Sequence, residues 1–437
     1  MTVAIADDPL QSALAVPTVR RLENGLTIIA QQTPVDAVNL SLWFRVGSAI
    51  ESDTINGMAH FLEHMIFKGT ARLSPGEFER RIEARGGVTN AATSQDYTHF
   101  YLTSAPQDFA ALAPLQIELV LNPRLAKADF ARERSVVLEE ILRAHDNPRR
   151  RTFSRSMAVA FEKLPYRRPV LGTTDVVESF TAQQMRDFHQ YWYQPERITA
   201  VAVGNLPVEQ LIQTITQGFE QALARRQLSP DSRNPATQVR RSAPEPPFQK
   251  IERHTYVDAS LQQARLVLSW RVPGLAEVER TDVLDVLASI LARGRLSRLV
   301  QDLREQQQLV TSIAASNMSY WQQGVFTIAA NLPTKNIEKV ELAIIQHLQQ
   351  LQATPVTVTE LKRVQTQVAN RYVFGSESPS DLAGLYGYYQ TLTGQLHHAL
   401  IYPAIIQRLT PQDIQSAAQT YLSPRAYGAL QIFPDRA

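Results

Sequence analysis

The sequence of 437 residues contains no cysteine, which excludes disulfides, thiolate metal ligands and cysteine nucleophiles. Any transition-metal site must therefore be built from histidine and carboxylate. An excess of either charge is also lacking: 44 Lys and Arg stand against 42 Asp and Glu, a net charge of +2. That balance offers no polyanion-binding surface, so no nucleic-acid partner is expected. The one sharp basic run, Arg149-Arg150-Arg151, reads as a solvated loop or helix end. No stretch of about 18 uninterrupted apolar residues occurs, so no membrane span is expected. Met1 to Val16 carries Asp7 and Asp8 early and has no basic region ahead of an apolar one. A secretory signal is therefore not expected, and a soluble, cytoplasmic protein is.

What remains is ordinary globular composition, 44% apolar and 20% charged, with a length that suits two to four domains at about 150 residues each. The clearest break is Gln227 to Gln249, with Pro230, Pro235, Pro244, Pro246 and Pro247 and no apolar periodicity. Such a stretch is extended and semi-rigid and suits a tether between two bodies. It divides the chain into residues 1–226, a linker 227–249, and residues 250–437. The flanking pieces resemble each other. Thr181-Ala182-Gln183-Gln184-Met185, Pro195 and Ala200 to Val203 match Thr410-Pro411-Gln412-Asp413-Ile414, Pro424 and Ala429 to Ile432 at a constant offset of 229. Leu42 to Val46 matches Leu268 to Val272 at an offset of 226. Shared order at nearly constant spacing indicates duplication.

Leu26 to Gln31, Val38 to Val46, Thr98 to Ser104 and Thr199 to Gly204 carry the β-branched or aromatic character of strands. Ile55 to Phe67, Pro75 to Arg85, Pro106 to Leu121, Lys127 to Arg143 and Thr181 to Trp192 read as helices. Hairpin-connected strands between helices favour α+β over a doubly wound parallel sheet. The expected fold is two duplicated, similarly folded α+β halves joined by the proline-rich linker.

The chemistry concentrates in His60-Phe61-Leu62-Glu63-His64. Residues four apart on a helix lie one above the other, so His60 and His64 can offer two imidazole nitrogens to one Zn²⁺. Glu63 borders the same face, where a carboxylate can take a proton from a metal-activated water without being a ligand. Two histidines leave the site one protein ligand short. The helix Lys127 to Arg143 supplies Glu133, Glu139 and Glu140, and Glu133 and Glu140, two turns apart, share a face. One of that pair would complete the metal site, and the other would hold a ligand by hydrogen bonding. A chance His-x-x-Glu-His is expected in roughly one chain of this composition in a hundred.

These residues resemble the inverzincin peptidases, specifically the M16 family of insulysin, pitrilysin and the mitochondrial processing peptidase, in its shorter two-domain form. The likeness covers essentially the whole chain. It is carried by Asn24-Gly25-Leu26, by the signature running from Gly57-Met58-Ala59-His60 to Lys68-Gly69-Thr70, by Gly86 to Thr93, by Pro165 to Gly172, and by Ser297-Arg298-Leu299 with Leu303-Arg304-Glu305. The resemblance implies a zinc-dependent peptidase binding one Zn²⁺ per chain. His60, His64 and Glu140, the last 76 residues beyond His64, would be the ligands. Glu63 would be the general base and Glu133 the supporting carboxylate. Asn90, Ala91 and Ala92 would lie on an edge strand that captures an extended peptide. It further implies a clamshell-like arrangement in which the second half closes over unfolded or short peptides. That half has no metal site of its own, since the positions paralleling His60, Glu63 and His64 are Val286, Ser289 and Ile290.

Active family members also grip substrate backbone with an arginine and a tyrosine. Here Arg304 is present, but the tyrosine position is Thr311. The metal-bearing subunit of a heterodimer with a related Arg/Tyr-bearing chain is therefore expected in preference to a homodimer, with Tyr320 a possible replacement phenol. The alternative is a non-catalytic, core-subunit-like scaffold of the same fold, against which the intact ligands and Glu63 argue. His99, His145, His397 and His398 read as structural or surface residues, and Trp43, Trp192, Trp270 and Trp321 as core.

Overall fold

The computed structural model describes residues 14–226 and 243–435; most of the proline-rich linker lies outside them. The strands are β1 (Thr18–Arg21), β2 (Thr27–Gln32), β3 (Val38–Phe44), β4 (Val88–Thr93), β5 (Thr98–Ser104), β6 (Ile198–Gly204), β7 (Glu252–Val257), β8 (Ala264–Pro273), β9 (Ser312–Ser319), β10 (Gln323–Leu332) and β11 (Gly428–Phe433). The helices are α1 (Met58–Ile66), α2 (Glu77–Glu83), α3 (Pro106–Leu121), α4 (Lys127–Asp146), α5 (Pro148–Ala160), α6 (Thr174–Ser179), α7 (Ala182–Trp192), α8 (Val208–Arg225), α9 (Asp282–Ala292), α10 (Ile337–Ala353), α11 (Val358–Phe374), α12 (Pro379–Thr393), α13 (His397–Arg408) and α14 (Pro411–Tyr421).

The strands form two sheets, ordered β1-β2-β6-β3-β5-β4 and β7-β11-β8-β10-β9. Leaving β1 aside, the two orders are the same. In each, the first strand pairs parallel with the last (β2 with β6, β7 with β11), and every other pairing is antiparallel. The duplication read from the sequence is thus a duplication of topology, and the fold is α+β in two similar halves. The matched Thr181 and Thr410 segments are real capping boxes, each threonine hydroxyl accepting from the third helical amide of α7 or α14.

Both faces of each sheet are apolar, and each face needs cover. On the first sheet, Ile28, Ala30, Leu40, Leu42 and Phe44 pack into the core containing α1, α3 and α8. The opposite face presents Ile29, Trp43, Val201 and Val203, which pack against Leu382, Ala383 and Tyr386 of α12. Burial on two faces explains why all seven residues of β3 are inaccessible. On the second sheet, Leu266, Leu268 and Trp270 join the core of α9, α10 and α14. Val267, Leu430 and Ile432 on its other face pack against Val159 of α5.

The compact units therefore differ from the halves 1–226 and 250–437. One unit comprises the described residues through Arg143, 168–226 and Phe374–Leu400; the other comprises Ala144–Arg167, 243–373 and the described residues from Ile401 onward. Each sheet takes its second cover from across the linker. The exchanged helices occupy like places in the repeat, since α5 follows α4 as α12 follows α11, and Pro148 plus the offset of 229 falls two residues before the start of α12. Gly387 lets α12 approach: a Cβ there would stand 2.1 Å from Trp43 Nε1.

Several local expectations change. The described end of the linker is docked, not free. Glu245 is buried, its carboxylate accepting from the backbone N–H of Glu162, Lys163 and Leu164 at 2.7–3.0 Å and pairing with Arg271 at 2.9 Å. Arg149 and Arg150 are exposed, but Arg151 makes a bidentate pair with Asp258, both contacts at 2.9 Å, fixing α5 to the second unit. His398 is buried, not at the surface, and Trp192 and Trp321 are only half-buried, while Trp43 and Trp270 are core. His99 lies 4.3 Å from the Trp43 ring, and burial pushes its proton affinity down to about 4, as suits a structural imidazole. Among the described residues, no helix is long and apolar enough to cross a membrane.

Candidate active site

The site is built on α1, which begins after Gly57 at φ +102°. A Cβ at Gly57 would stand 2.6 Å from the Leu171 carbonyl oxygen, so both conformation and space demand glycine. The orphan amides of the first turn are met by a buried carboxylate from upstream. Glu51 Oε2 accepts from Gly57 N–H at 2.7 Å and from the Asn56 amide at 3.0 Å, and Oε1 accepts from Ala59 N–H at 2.7 Å. Burial pushes the Glu51 carboxyl up to about 7, against the pull of these donors and of the Arg168 charge.

The apolar side of α1, Phe61, Leu62 and Met65, is fully buried, and the Phe61 ring stacks on Phe130 of α4 at 4.7 Å. That stacking sets α4 beside α1 and brings its carboxylates to the histidines. His60 and His64, one turn apart, have ring centroids 4.8 Å apart. Glu140 Oε2 lies 3.5 Å from His60 Nε2 and 3.5 Å from His64 Nε2. Ligand atoms of His60, His64 and Glu140 all lie within 4.8 Å of one another.

This donor set fits zinc. A tetrahedral ion with bonds near 2.0–2.1 Å needs its ligand atoms about 3.3–3.4 Å apart, close to both 3.5 Å separations. Those separations exceed the usual nitrogen–oxygen hydrogen bond of about 2.9–3.0 Å. Of the two carboxylates that share a face of α4, Glu140 is therefore the one placed where it could hold a metal together with both histidines. Glu133 turns to the far nitrogen instead, its Oε1 lying 3.0 Å from His64 Nδ1. Burial presses the His64 proton affinity down, but the hydrogen bonds and charges of Glu140 and Glu133 outweigh it and raise the net value.

Glu63 points toward β4, where the Thr93 hydroxyl donates to its Oε2. Its carboxyl is raised above the ordinary range, chiefly by burial and further by the Glu140 charge, while Thr93 and His64 oppose the shift. Among the described residues, β4 is the edge strand of its sheet and pairs only with β5. Asn90, Ala91 and Ala92 oppose Tyr101, Phe100 and His99 across that pairing, so the strand that holds Thr93 against Glu63 presents its other edge unpaired.

Arg304 belongs to the second unit, in a π-helical turn Val300–Gln306, where its guanidinium donates to Glu305. Thr311 Oγ1 donates to Gln263 and to the Asn331 carbonyl. Tyr320 stacks on Tyr166 at 4.5 Å with its hydroxyl 3.8 Å from Met157 Sδ. Sequence reasoning missed Glu51, Thr93 and Lys68, whose ammonium lies 2.8 Å from Glu133 Oε2. Thr93 and Lys68 sit inside the conspicuous motifs, but nothing in the sequence distinguishes them from their neighbours, and Glu51 lies outside both.

Comparison with known proteins gives the family. The family profile described as insulinase, peptidase family M16, matches residues 26–174, and the profile described as the peptidase M16 inactive domain matches residues 179–368. The chain belongs to peptidase family M16. It is a two-domain member, and the inactive-domain match contains α9, whose Val286, Ser289 and Ile290 are buried and offer no metal ligand set. An uncharacterised zinc protease of Streptomyces coelicolor is 28% identical over 94% of this chain and 88% of its own length. The zinc protease PqqE of Helicobacter pylori is 26% identical over 84% of this chain and 82% of its own length. The crystal structure of a protease from Helicobacter pylori superposes with a TM-score of 0.87 at 24% identity, covering 96% of this chain and 99% of that one; this likeness is one of fold.

Proposed function

We propose that this M16 member is a zinc-dependent peptidase that hydrolyses unfolded or short peptides, with His60, His64 and Glu140 as metal ligands and Glu63 as general base. The observation that carries the reading is the single Glu140 oxygen standing 3.5 Å from the Nε2 atoms of both histidines. Zinc held there supplies Lewis acidity, acidifying a water and polarising a peptide carbonyl. The chain's own groups do the rest. Glu63, oriented through Oε2 by Thr93, takes the water's proton on its carboxylate and later delivers it to the leaving amine nitrogen. Its raised proton affinity suits a group that must both accept and return a proton. The open edge of β4 suits a peptide added as a further strand, held by backbone hydrogen bonds with little sequence preference.

A Glu63→Gln variant should keep about one zinc per chain by metal analysis while peptide cleavage falls about 10²–10⁴-fold. Retained cleavage overturns the assignment of the base. The chain acts as the metal-bearing subunit of a dimer, favoured as a heterodimer with a related Arg/Tyr-bearing chain because Thr311 stands at the tyrosine position. Full activity of the zinc-loaded chain alone would remove the need for that partner. Intact peptides even with the partner present would favour a non-catalytic scaffold.

A further inference from the structure

Glu133 is a buried carboxylate with two partners, both from one short stretch of chain. Its Oε1 lies 3.0 Å from His64 Nδ1, and its Oε2 lies 2.8 Å from Lys68 Nζ. His64 and Lys68 are four residues apart, at the end of α1 and just beyond it. The backbone of Lys68 is itself fixed, its N–H donating to the Met65 carbonyl at 3.1 Å. The chain then turns at Gly69, φ +88°, where a Cβ would stand 2.4 Å from the Leu73 carbonyl oxygen. Lys68 thus reaches Glu133 from a rigid base, with its side chain about one-third exposed.

We propose that Lys68 is a positioning residue for the metal site. Its ammonium occupies one oxygen of Glu133 and so turns the other onto the Nδ1–H of His64. That hydrogen bond selects the His64 tautomer whose Nε2 lone pair faces Glu140 and His60. This inference rests on the reading of His60, His64 and Glu140 as ligands. It has a sign that separates it from simple electrostatics. A lysine acting on the metal through its charge alone repels a dication, so removing it would tighten binding. A lysine acting through Glu133 orients a ligand, so removing it loosens binding.

The test uses the full chain and Zn²⁺ in competition with a chromophoric chelator. Lys68→Met should weaken zinc binding about 10-fold, the lower range for a partner that orients a ligand, and Lys68→Arg should restore most of that loss. Adding Lys68→Met to a Glu133→Gln background should change the affinity less than 2-fold, because the path through Glu133 is already cut. In the metal-free protein labelled at histidine nitrogen, the His64 Nδ1–H signal should be slow to exchange in the wild type and in Lys68→Arg, and lost in Lys68→Met. If Lys68→Met unfolds, Lys68→Gln carries the same comparison. Unchanged or tighter zinc binding, an additive loss in the double variant, or an unaltered His64 signal overturns the role of Lys68. Wild-type protein that binds no zinc while its His64 signal still responds to Lys68→Met instead overturns the metal-site reading.

Discussion

Removing the Glu51 carboxylate should loosen the first turn of α1 and His60, the proposed ligand it carries. The group is almost wholly inaccessible and is the acceptor for two backbone N–H groups and one side-chain amide. A buried donor left without an acceptor costs about 1–3 kcal/mol, so Glu51→Ala, which strands the two backbone N–H groups and takes one of two acceptors from the Asn56 amide, should cost about 2–6 kcal/mol locally. Glu51→Gln keeps the volume and one acceptor oxygen but turns an NH₂ toward an N–H donor, for about 1–3 kcal/mol. The rest of α1 stays packed through Phe61, Leu62 and Met65, so the damage should be confined to the turn holding His60. Hydrogen exchange read by mass spectrometry on a peptide covering residues 56–62 measures it. A loss of about 2 kcal/mol appears as exchange roughly 30-fold faster at Gly57 and Ala59, with zinc affinity falling in parallel. Wild-type exchange rates in both variants would refute the assignment of Glu51 as the cap of α1.

The two units should answer pH with opposite signs. Glu51 is raised from 4.5 to about 7 in the folded protein, so its contribution is fully present below pH 4.5 and is lost as pH rises through 7, by about 3 kcal/mol; that loss should vanish in Glu51→Gln. Burial pushes the Glu245 carboxyl up, but three backbone donors and Arg271 outweigh it and hold it below 4.5, so the stability it gives the second unit should fade as pH falls below that value, and Glu245→Gln should flatten the acid limb of exchange measurements on residues 160–166. Glu140→Gln should weaken zinc binding far more than Glu63→Gln, since only the former replaces a charged oxygen of the proposed ligand set with a neutral amide; equal losses by chelator competition would count against the ligand set. Gly387→Ala forces a Cβ into the Trp43 ring and should destabilise the first unit by about 1–3 kcal/mol, seen as faster exchange in α12; unchanged exchange there would contradict the close approach.

What could be read from the sequence was what is local. His60 and His64 on one face need only helical periodicity, and Glu63 follows from its place beside them. The capping boxes at Thr181 and Thr410 need only four residues each. Helical periodicity alone did not separate Glu133 from Glu140, because both lie on one face of α4, and only the family resemblance named Glu140; in the structure the Phe61–Phe130 stacking sets α4 beside α1 and brings Glu140 to both histidines. Glu51 was invisible for the same reason. It caps a helix from seven residues before its start, across a chain path that no short motif encodes. Arg151 was misread because a basic run says nothing of an Asp258 more than a hundred residues away.

The exchange of α5 and α12 was the least legible feature, and it decides how the molecule can be divided. An apolar helix face states that it will be buried, not against which sheet. Where two sheets share one strand order and two helices hold the same place in the repeat, either helix meets a similar surface on either sheet, and the connections decide. Cutting within 227–242, with a protease site inserted there, should therefore leave the two pieces comigrating on size exclusion, since each sheet's second face is covered by the other piece. Residues 1–226 expressed alone should expose Ile29, Trp43, Val201 and Val203 once α12 is missing, and should aggregate or bind a hydrophobic dye. A monomeric, well-protected fragment 1–226 would show that α12 is dispensable to the first sheet, and with it the reason for the exchange would fall.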